Sequence, residues 1–474
     1  MWENFLAGTT ALFGDPVSIA IFIFGVVGGM LFGAIPGVSM LTLAAILLPF
    51  SAGLEPAQGV MLFAVIYCTG TYGGAITAIL FNIPGAPENA PTAFDGYPMT
   101  KKGMAGKAVG AAVLCSAVGG TASALLMMAA TEPLAHWAIS NIGPPEIFAL
   151  VFFGLAVASS VGGNTIWKGW MSVLLGLMIA TIGQDPVGGI NRYNFGLTDL
   201  AAGIAFVPAI LGFFAVSEIF IQAEKKAFGK YNSPKLSVDL PTFTELWAHK
   251  IAVVRSIIVG FFCGILPGIG ATLAAFMGYG EAVRWSKEKE KFGTGKLEGV
   301  ISSETANNAA TGAAMIPLLA LGLPGGALTA IMVAVFQFHD MEPGPLVFYN
   351  SPELIWVVFA AMFYANVSIL FIGLIETKTI LQLLRIPFHY LAPMILMLAS
   401  IGAYIGRGLV LDVVVMFGAG VLGFLLRRSG YSIAGIVLGI ILGKIGEQNF
   451  AQGMQMVHYD LLTYISRPIC FILI

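Results

Sequence analysis

The chain has 474 residues, of which 57% are hydrophobic and only 10% are charged, and its net charge is −2. Soluble domains carry about 25% charged residues, so a chain this poor in charge cannot cover its own surface with polar groups and must face lipid. This composition argues against a soluble enzyme, and the near-zero net charge offers no basic surface for nucleic acid.

Apolar segments long enough to enter a membrane recur along the whole chain. A helix that spans the hydrocarbon core needs about 20 apolar residues at roughly 1.5 Å of rise each. The segments run over 17–50, 57–83, 104–131, 145–161, 166–183, 200–221, 251–280, 305–338, 352–375, 387–404, 408–426, 430–446 and 457–474. We therefore predict an all-α polytopic membrane protein with about a dozen membrane elements. We expect the first segment to belong to the mature protein, since no basic stretch of a signal peptide precedes it.

Proline–glycine pairs interrupt four of these elements. Proline removes a backbone donor and clashes with the preceding helical turn, while glycine lets the chain reverse. The breaks lie at 33–37, 82–85, 264–270 and 322–325. Because the two kinds of break follow in the same order twice, the pattern predicts an internal repeat with halves of 1–240 and 250–474.

The distribution of Lys and Arg predicts which loops face the cytoplasm. Basic residues cluster at 101–107, 222–255 and 284–296, whereas the loops at 51–57 and 339–351 carry acidic residues and no Lys or Arg. The positive-inside rule therefore places the basic clusters in the cytoplasm and the two acidic loops outside.

This orientation predicts that two segments are helical hairpins. Segment 251–280 has cytoplasmic flanks at both ends, whereas segment 17–50 has flanks free of Lys and Arg and would dip from the outside. The two halves would then be inverted repeats with re-entrant or broken helices, an arrangement typical of secondary transporters. The polar stretches 222–250 and 282–303 are predicted to be cytoplasmic connectors.

The breaks are also the predicted binding sites. Irregular backbone at membrane depth is tolerated only where protein or a water-filled cavity surrounds it, and its free N–H and C=O groups can then bind ligands. We expect the substrate to bind at Pro36, Gly37, Ser39, Asn82, Pro84, Gly85, Pro267, Gly268, Thr272, Pro324 and Gly325. Neutral oxygens suit a small hard cation such as Na⁺, and they predict an ion site at Thr42, Asn307, Asn308 and Thr311.

Structural explanations compete with these assignments. The Pro-Gly pairs can be simple kinks, and asparagines in an apolar helix can bond a neighbouring helix. Ser303 and Glu304 fit the N-cap of a helix, whereas Glu88 and Asp95 fit a solvated loop. No chain of buried carboxylates is evident, which favours coupling to Na⁺ over H⁺. The histidines are scattered, so no resident metal site is predicted.

The motifs carry a resemblance to a known family. They are the stretches Gly33 to Gly37, Tyr72 to Gly106, Gly264 to Gly270 and Glu298 to Gly326. In these stretches the chain resembles the large membrane subunit of the tripartite tricarboxylate transporter family. With the length and the hydropathy, the likeness covers essentially the whole chain.

The resemblance implies a multi-pass permease of the bacterial inner membrane, driven by an ion gradient and without a cofactor. It implies two partners, a small membrane subunit of about four helices and a periplasmic solute-binding protein. The implied substrates are small carboxylates, including di- and tricarboxylates. An elevator-like motion, with hairpin tips that hold the substrate, is expected by analogy.

No catalytic signature accompanies these motifs. The sequence contains no H-E-x-x-H and no G-x-S-x-G, and Gly295-Lys296 is followed by Leu297 rather than by the Ser or Thr of an ATP-binding loop. We therefore predict that the protein is not an enzyme. Two alternatives stay open, an anion-conducting channel lined by the same broken helices and a non-transporting membrane scaffold.

Overall fold

The computed structural model describes residues 1–35, 39–161, 165–185, 187–224, 240–268, 270–383 and 388–473. Its helices in the first half are α1 Trp2–Gly14, α2 Pro16–Ala34, α3 Met40–Ser51, α4 Pro56–Phe81, α5 Ala90–Lys101, α6 Ala105–Asn141, α7 Pro144–Val161, α8 Ile166–Ala180, α9 Phe206–Ile210 and α10 Ser217–Glu224. Those of the second half are α11 Phe243–Ala248, α12 Lys250–Ile265, α13 Gly270–Trp285, α14 Leu297–Ala313, α15 Met315–Leu321, α16 Ala327–Phe338, α17 Val347–Asn350, α18 Pro352–Leu383, α19 Phe388–Ile405, α20 Val410–Arg428, α21 Ile433–Met456, α22 Leu461–Ile465 and α23 Pro468–Leu473.

Short elements connect some of these helices. A π-helical segment, Leu211–Val216, joins α9 to α10, so Phe206–Glu224 is one apolar helix. A two-stranded antiparallel ribbon between α8 and α9 pairs β1, Gly183–Gln184, with β2, Asn191–Arg192. Single 3₁₀ turns lie at Pro87–Asn89, Thr198–Leu200 and Lys289–Lys291.

The expected all-α polytopic membrane protein is confirmed. Within the described ranges, 7 helices are long and apolar enough to cross a membrane, and shorter apolar helices accompany them. α4 is buried on all sides and lies in the interior of the molecule, whereas α20 is mostly exposed and suits a helix against lipid. The inverted relation of the two halves stays a prediction.

Helices end at each Pro-Gly break, and two of these ends have the same geometry. After α4, Asn82 is left-handed with a φ of 58°, and the next amide, that of Ile83, donates to the Thr77 carbonyl at 3.3 Å. After α15, Gly322 is left-handed with a φ of 73°, and the next amide donates to the Pro317 carbonyl at 3.0 Å. Both are helix C-caps in which a left-handed residue reverses the chain.

Glycines bring the helices before the first and third breaks close to the helices they pack on. A methyl group placed on Gly33 of α2 would lie 2.3 Å from the carbonyl oxygen of Gly70 in α4. One placed on Gly264 of α12 would lie 2.6 Å from the carbonyl oxygen of Ala310 in α14. Such small-residue contacts let membrane helices approach backbone to backbone.

The start of α14 corrects one sequence-based interpretation. The N-cap of this helix is Lys296, so Ser303 and Glu304 lie well inside the helix and cap nothing. Within the predicted connector 282–303, α13 extends to Trp285 and α14 begins at Leu297. Part of the other connector, 225–239, lies outside the described residues.

Candidate functional site

Three of the four breaks meet at one cavity of about 720 Å³. Ser39 contributes from the first break, Pro84 and Gly85 from the second, and Gly268 and Thr272 from the third. Gly268 has a φ of 83°, a left-handed conformation that favours glycine. Five of the residues predicted to bind substrate from sequence therefore line the same space, although they come from both halves of the chain.

A further part of the cavity lining comes from α10, α20 and the start of α21. Glu218, Gln222 and Arg427 line it, together with residues 430–435. Arg427 and Glu218 are the charged side chains among the described lining residues, and they form an ion pair. The sequence analysis did not single out either residue, because each lies at the end of an apolar segment where a charge is expected to reach water.

The fourth break supports the cavity from behind. Pro324 and Gly325 do not line it, and a methyl group on Gly325 would lie 2.7 Å from the carbonyl oxygen of Ala314. The break still touches the third one, since a methyl group on Gly326 would lie 3.3 Å from the Cα atom of Gly270. The fourth break therefore packs directly against the third one.

Four other predicted substrate residues have different positions. Asn82 is exposed and acts through its backbone as the cap of α4. Pro267 is buried against α7, where a methyl group on Gly154 would lie 3.1 Å from its Cβ atom. Pro36 and Gly37 lie outside the described residues.

The residues predicted for the ion lie away from this cavity lining. Asn307, Asn308 and Thr311 are fully buried on α14, and Thr42 is buried on a different helix, α3. The Asn308 Nδ2 atom donates to Asn307 Oδ1 at 2.9 Å, and the Thr311 hydroxyl donates to the backbone carbonyl of Asn308 at 2.8 Å. The three α14 residues of the predicted ion site therefore lie next to one another.

Glu304 is at the centre of this buried polar cluster. Its carboxylate accepts hydrogen bonds from the Thr92 hydroxyl, from the Ser116 hydroxyl at 3.0 Å and from Asn307 Nδ2 at 3.2 Å. The side chain is completely buried, and in the described part of the chain no Lys, Arg or His pairs with it. A carboxylate held at membrane depth by neutral donors alone is costly, and such residues mark ion pathways.

Unpaired oxygens accompany this carboxylate. Among the described residues, Asn308 Oδ1 and Asn89 Oδ1 are buried and have no hydrogen-bond partner, although the Asn89 amide nitrogen donates to the Thr71 carbonyl at 2.8 Å. Buried polar atoms are normally satisfied, so orphaned oxygens call for an explanation. Carboxylate and amide oxygens are the ligands that small hard cations prefer.

Glu88 is buried and does not lie in a solvated loop as expected. Its side chain is 6% exposed, and the Thr272 hydroxyl is hydrogen-bonded to its carboxyl group. Thr272 lines the cavity, whereas Glu88 is not among the residues that line it.

Asp95 is also buried, against expectation, and it has a structural role. One carboxylate oxygen accepts from the amides of Gly295 and Lys296, each at 2.8 Å, and the other accepts from the Tyr279 hydroxyl at 2.9 Å. These bonds fasten the loop before α14 to α5. The residues in contact lie about two hundred positions apart in the sequence, so no local sequence pattern predicts that they meet.

Tyr67 is a further residue that the sequence analysis missed. Methyl groups placed on Gly270 and Gly326 would lie 3.9 and 3.8 Å from its hydroxyl oxygen. The side chain is 3% exposed, so α4 carries a buried hydroxyl to the point where the third and fourth breaks meet. A tyrosine in an apolar helix has many ordinary explanations, and its sequence context does not distinguish them.

On the predicted cytoplasmic side, an ion pair holds a connector helix to the membrane part. Lys107 at the start of α6 contacts Glu245 of α11. The hydrogen bond from this lysine, and a second one from the Thr242 amide, lower the pKa of the Glu245 carboxyl to about 2. The negative charge of this carboxylate thus persists throughout the physiological pH range.

Comparisons with known proteins agree with these observations. The model of the Tripartite tricarboxylate transporter TctA family matches residues 19–438. A protein of Agrobacterium vitis, described as an uncharacterized 52.8 kDa protein in the TAR-I ttuC' 3' region, is 36% identical over 461 residues, which cover 96% of this chain and 90% of the relative. A second, described as an uncharacterized protein in the TAR-II ttuC' 3' region, is 35% identical over 210 residues, or 44% of this chain and 87% of the relative. No solved structure matches.

Proposed function

The chain belongs to the tripartite tricarboxylate transporter TctA family, and we propose that it is the permease of an ion-driven uptake system for a small carboxylate. In this proposal it resides in the bacterial inner membrane as a secondary transporter, a symporter without a cofactor. It works with a small membrane subunit of about four helices and receives its solute from a periplasmic binding protein.

The cavity formed by three helix breaks is the observation that carries this proposal. Ser39 supplies a hydroxyl donor, and the breaks around Gly85 and Gly268 bring residues that lie outside the helices to the cavity. Helix ends of this kind bind the carboxylates of transported solutes. A di- or tricarboxylate fits the proposal because Arg427 adds a cation to the lining of the same cavity.

We place the coupling ion in the buried cluster on α14. Glu304 would supply the negative charge, and Asn307, Asn308 and Thr311 would supply or position neutral oxygens for Na⁺. This extends the sequence-based ion site, because a carboxylate neutralises the cation that neutral oxygens only solvate. H⁺ is the alternative occupant, and an elevator-like motion of the hairpins would carry both sites together.

Uptake into vesicles tests the proposal. Vesicles would contain the chain and its small membrane subunit, with the matching binding protein outside, and labelled succinate, citrate and benzoate would be offered without ATP. We expect accumulation of at least one carboxylate that requires the binding protein and stops when an imposed Na⁺ gradient is dissipated. Vesicles with the binding protein omitted are the matched control.

The other outcomes identify the alternatives. Passive equilibration that needs neither gradient nor binding protein would contradict the proposal and indicate a channel. Accumulation that follows a proton gradient with Na⁺ absent would replace Na⁺ by H⁺ as the coupling ion. The absence of any movement in the presence of all three components would favour a membrane scaffold.

A further inference from the structure

We propose that Arg427, together with the first turn of α21, binds one carboxylate group of the transported solute inside the cavity. This inference rests on the proposed function and names a specificity-determining residue for it. The site has three parts on one wall, namely the guanidinium of Arg427, the loop that follows it, and the amides that begin α21.

The guanidinium group of Arg427 has more hydrogen-bond donors than its contact with Glu218 uses. It presents five N–H groups, and the contact in the described structure is from one terminal nitrogen, Nη1, to Glu218 Oε2. The side chain is 25% exposed, and both residues line the cavity, so Arg427 lies beside space that a solute can enter. Arginine is the side chain best suited to hold a carboxylate through two parallel hydrogen bonds.

Glu218 holds Arg427 in place without saturating it. Its other carboxylate oxygen, Oε1, accepts from Gln222 Nε2 at 2.8 Å, so the two oxygens have different partners. The contact to the guanidinium is therefore through one oxygen only. A solute carboxylate would compete with Glu218 for the same cation, and this competition sets how tightly the solute is held and how readily it leaves.

The start of α21 adds a second source of positive potential. The cap of this helix, Ser432, and its first residues Ile433 and Ala434 line the cavity beside Arg427. The first amides of a helix have no acceptor within it, and the helix dipole favours an anion there. The Ser432 amide donates to the Ser172 hydroxyl at 2.9 Å, and the Gly435 amide donates to the Ser432 hydroxyl at 3.1 Å. Within the described part of the chain, the amides of Ile433 and Ala434 are therefore the ones that remain for a ligand.

The neighbouring residue provides a matched control. Arg428 pairs with Glu224 at 3.2 Å, but it is 66% exposed and does not line the cavity. Both arginines lie in the last turn of α20 and both contact a glutamate of α10. A general loss of surface charge or of a tie between these helices would affect both pairs alike, whereas carboxylate binding would affect only Arg427.

The test measures binding of succinate, citrate and benzoate to the purified full-length chain, from the concentration dependence of its melting temperature. We expect Arg427→Gln to raise Kd about 10- to 100-fold, the range for loss of hydrogen bonds to a charged group. The Kd of Arg427→Lys should lie between those of the wild type and Arg427→Gln, because lysine keeps the positive charge but lacks the planar set of N–H donors of arginine. The Kd of Arg428→Gln should stay within about twofold of the wild-type value.

Glu218→Gln is the decisive variant because the inference predicts the opposite sign. Removing the competing carboxylate should lower Kd about threefold or more. A pair that only ties α10 to α20 would instead give lower melting temperatures and unchanged Kd in both Glu218→Gln and Arg427→Gln, which would overturn the inference. This second variant also keeps the test valid where Arg427→Gln does not fold.

Failure of this inference is distinguishable from failure of the proposed function. Wild-type protein that binds a carboxylate, with Arg427→Gln binding it equally well, would overturn only the role of Arg427. Wild-type protein that binds none of the three probes at millimolar concentration would overturn both. Binding of chloride or sulfate with the same affinity as the carboxylates would reduce the site to a general anion site and contradict the assignment to the solute.

Discussion

The close contact between α12 and α14 gives the sharpest test of the helix packing at the third break. At Gly264 the two helices touch backbone to backbone, and we predict that Gly264→Ala separates them. The added Cβ atom would lie 2.6 Å from the carbonyl oxygen of Ala310 and 2.6 Å from the Cβ atom of Ala313. Ordinary contacts between such atoms are about 3.5–4.0 Å, so α12 must move away by roughly 1 Å.

The size of the effect follows from that overlap. Overpacking a close contact lowers the stability of the fold by about 1–3 kcal/mol. Replacing Gly by Ala inside a helix raises that stability by at most about 1 kcal/mol. Gly264 is one residue from the end of α12, so the gain in helix propensity is small there. We therefore expect a net loss of stability of about 1–2 kcal/mol, with a displaced third break and weaker uptake.

Gly280 in α13 is the matched control. It lies in the helix that follows the third break, and a methyl group on it would meet nothing within 4 Å among the described residues. Gly280→Ala should stabilise the protein by about 0.5–1 kcal/mol, since it only removes backbone freedom. Thermal unfolding of both variants, purified in one detergent, measures the difference, and equal melting temperatures or the reverse order would refute the helix contact at Gly264.

Three further predictions concern the polar groups. Glu304→Gln should abolish the dependence of uptake on the Na⁺ gradient while folded protein remains, because the amide keeps the shape and removes the charge; gradient-dependent uptake in this variant would remove Glu304 from the ion site. Asn308→Ala should reduce uptake without loss of folded protein, as measured by initial rates normalised to purified protein, and wild-type rates would place Asn308 outside the site. Because the folded pKa of Glu245 is lowered to about 2, its contact with Lys107 stabilises the protein above the ordinary carboxyl pKa near 4.5, and this contribution is lost as the pH falls toward 2. Glu245→Gln should therefore flatten the decline of melting temperature in that acidic window, and an unchanged pH profile would contradict the contact.

The sequence determined the membrane class and the positions of the breaks. A chain with 10% charged residues must face lipid, and proline–glycine pairs must interrupt helices wherever they occur. The helix ends at Phe81 and Leu321 follow from those local rules. The α14 residues Asn307 and Asn308 were also identified correctly as buried polar groups, because asparagine within an apolar helix is costly unless it has a partner.

Tertiary structure decided which of these groups share a site. Glu304 is indistinguishable in sequence from a helix cap, and only the packing of α14 against α5 and α6 surrounds it with Thr92 and Ser116. In the sequence, Arg427 is a charged residue at the end of an apolar segment. In the structure it lines the cavity, because α20 lies beside α10 and α21. Hydrophobic pattern and turn chemistry act over a few residues, whereas these contacts join positions about two hundred apart, where no local rule of sequence applies.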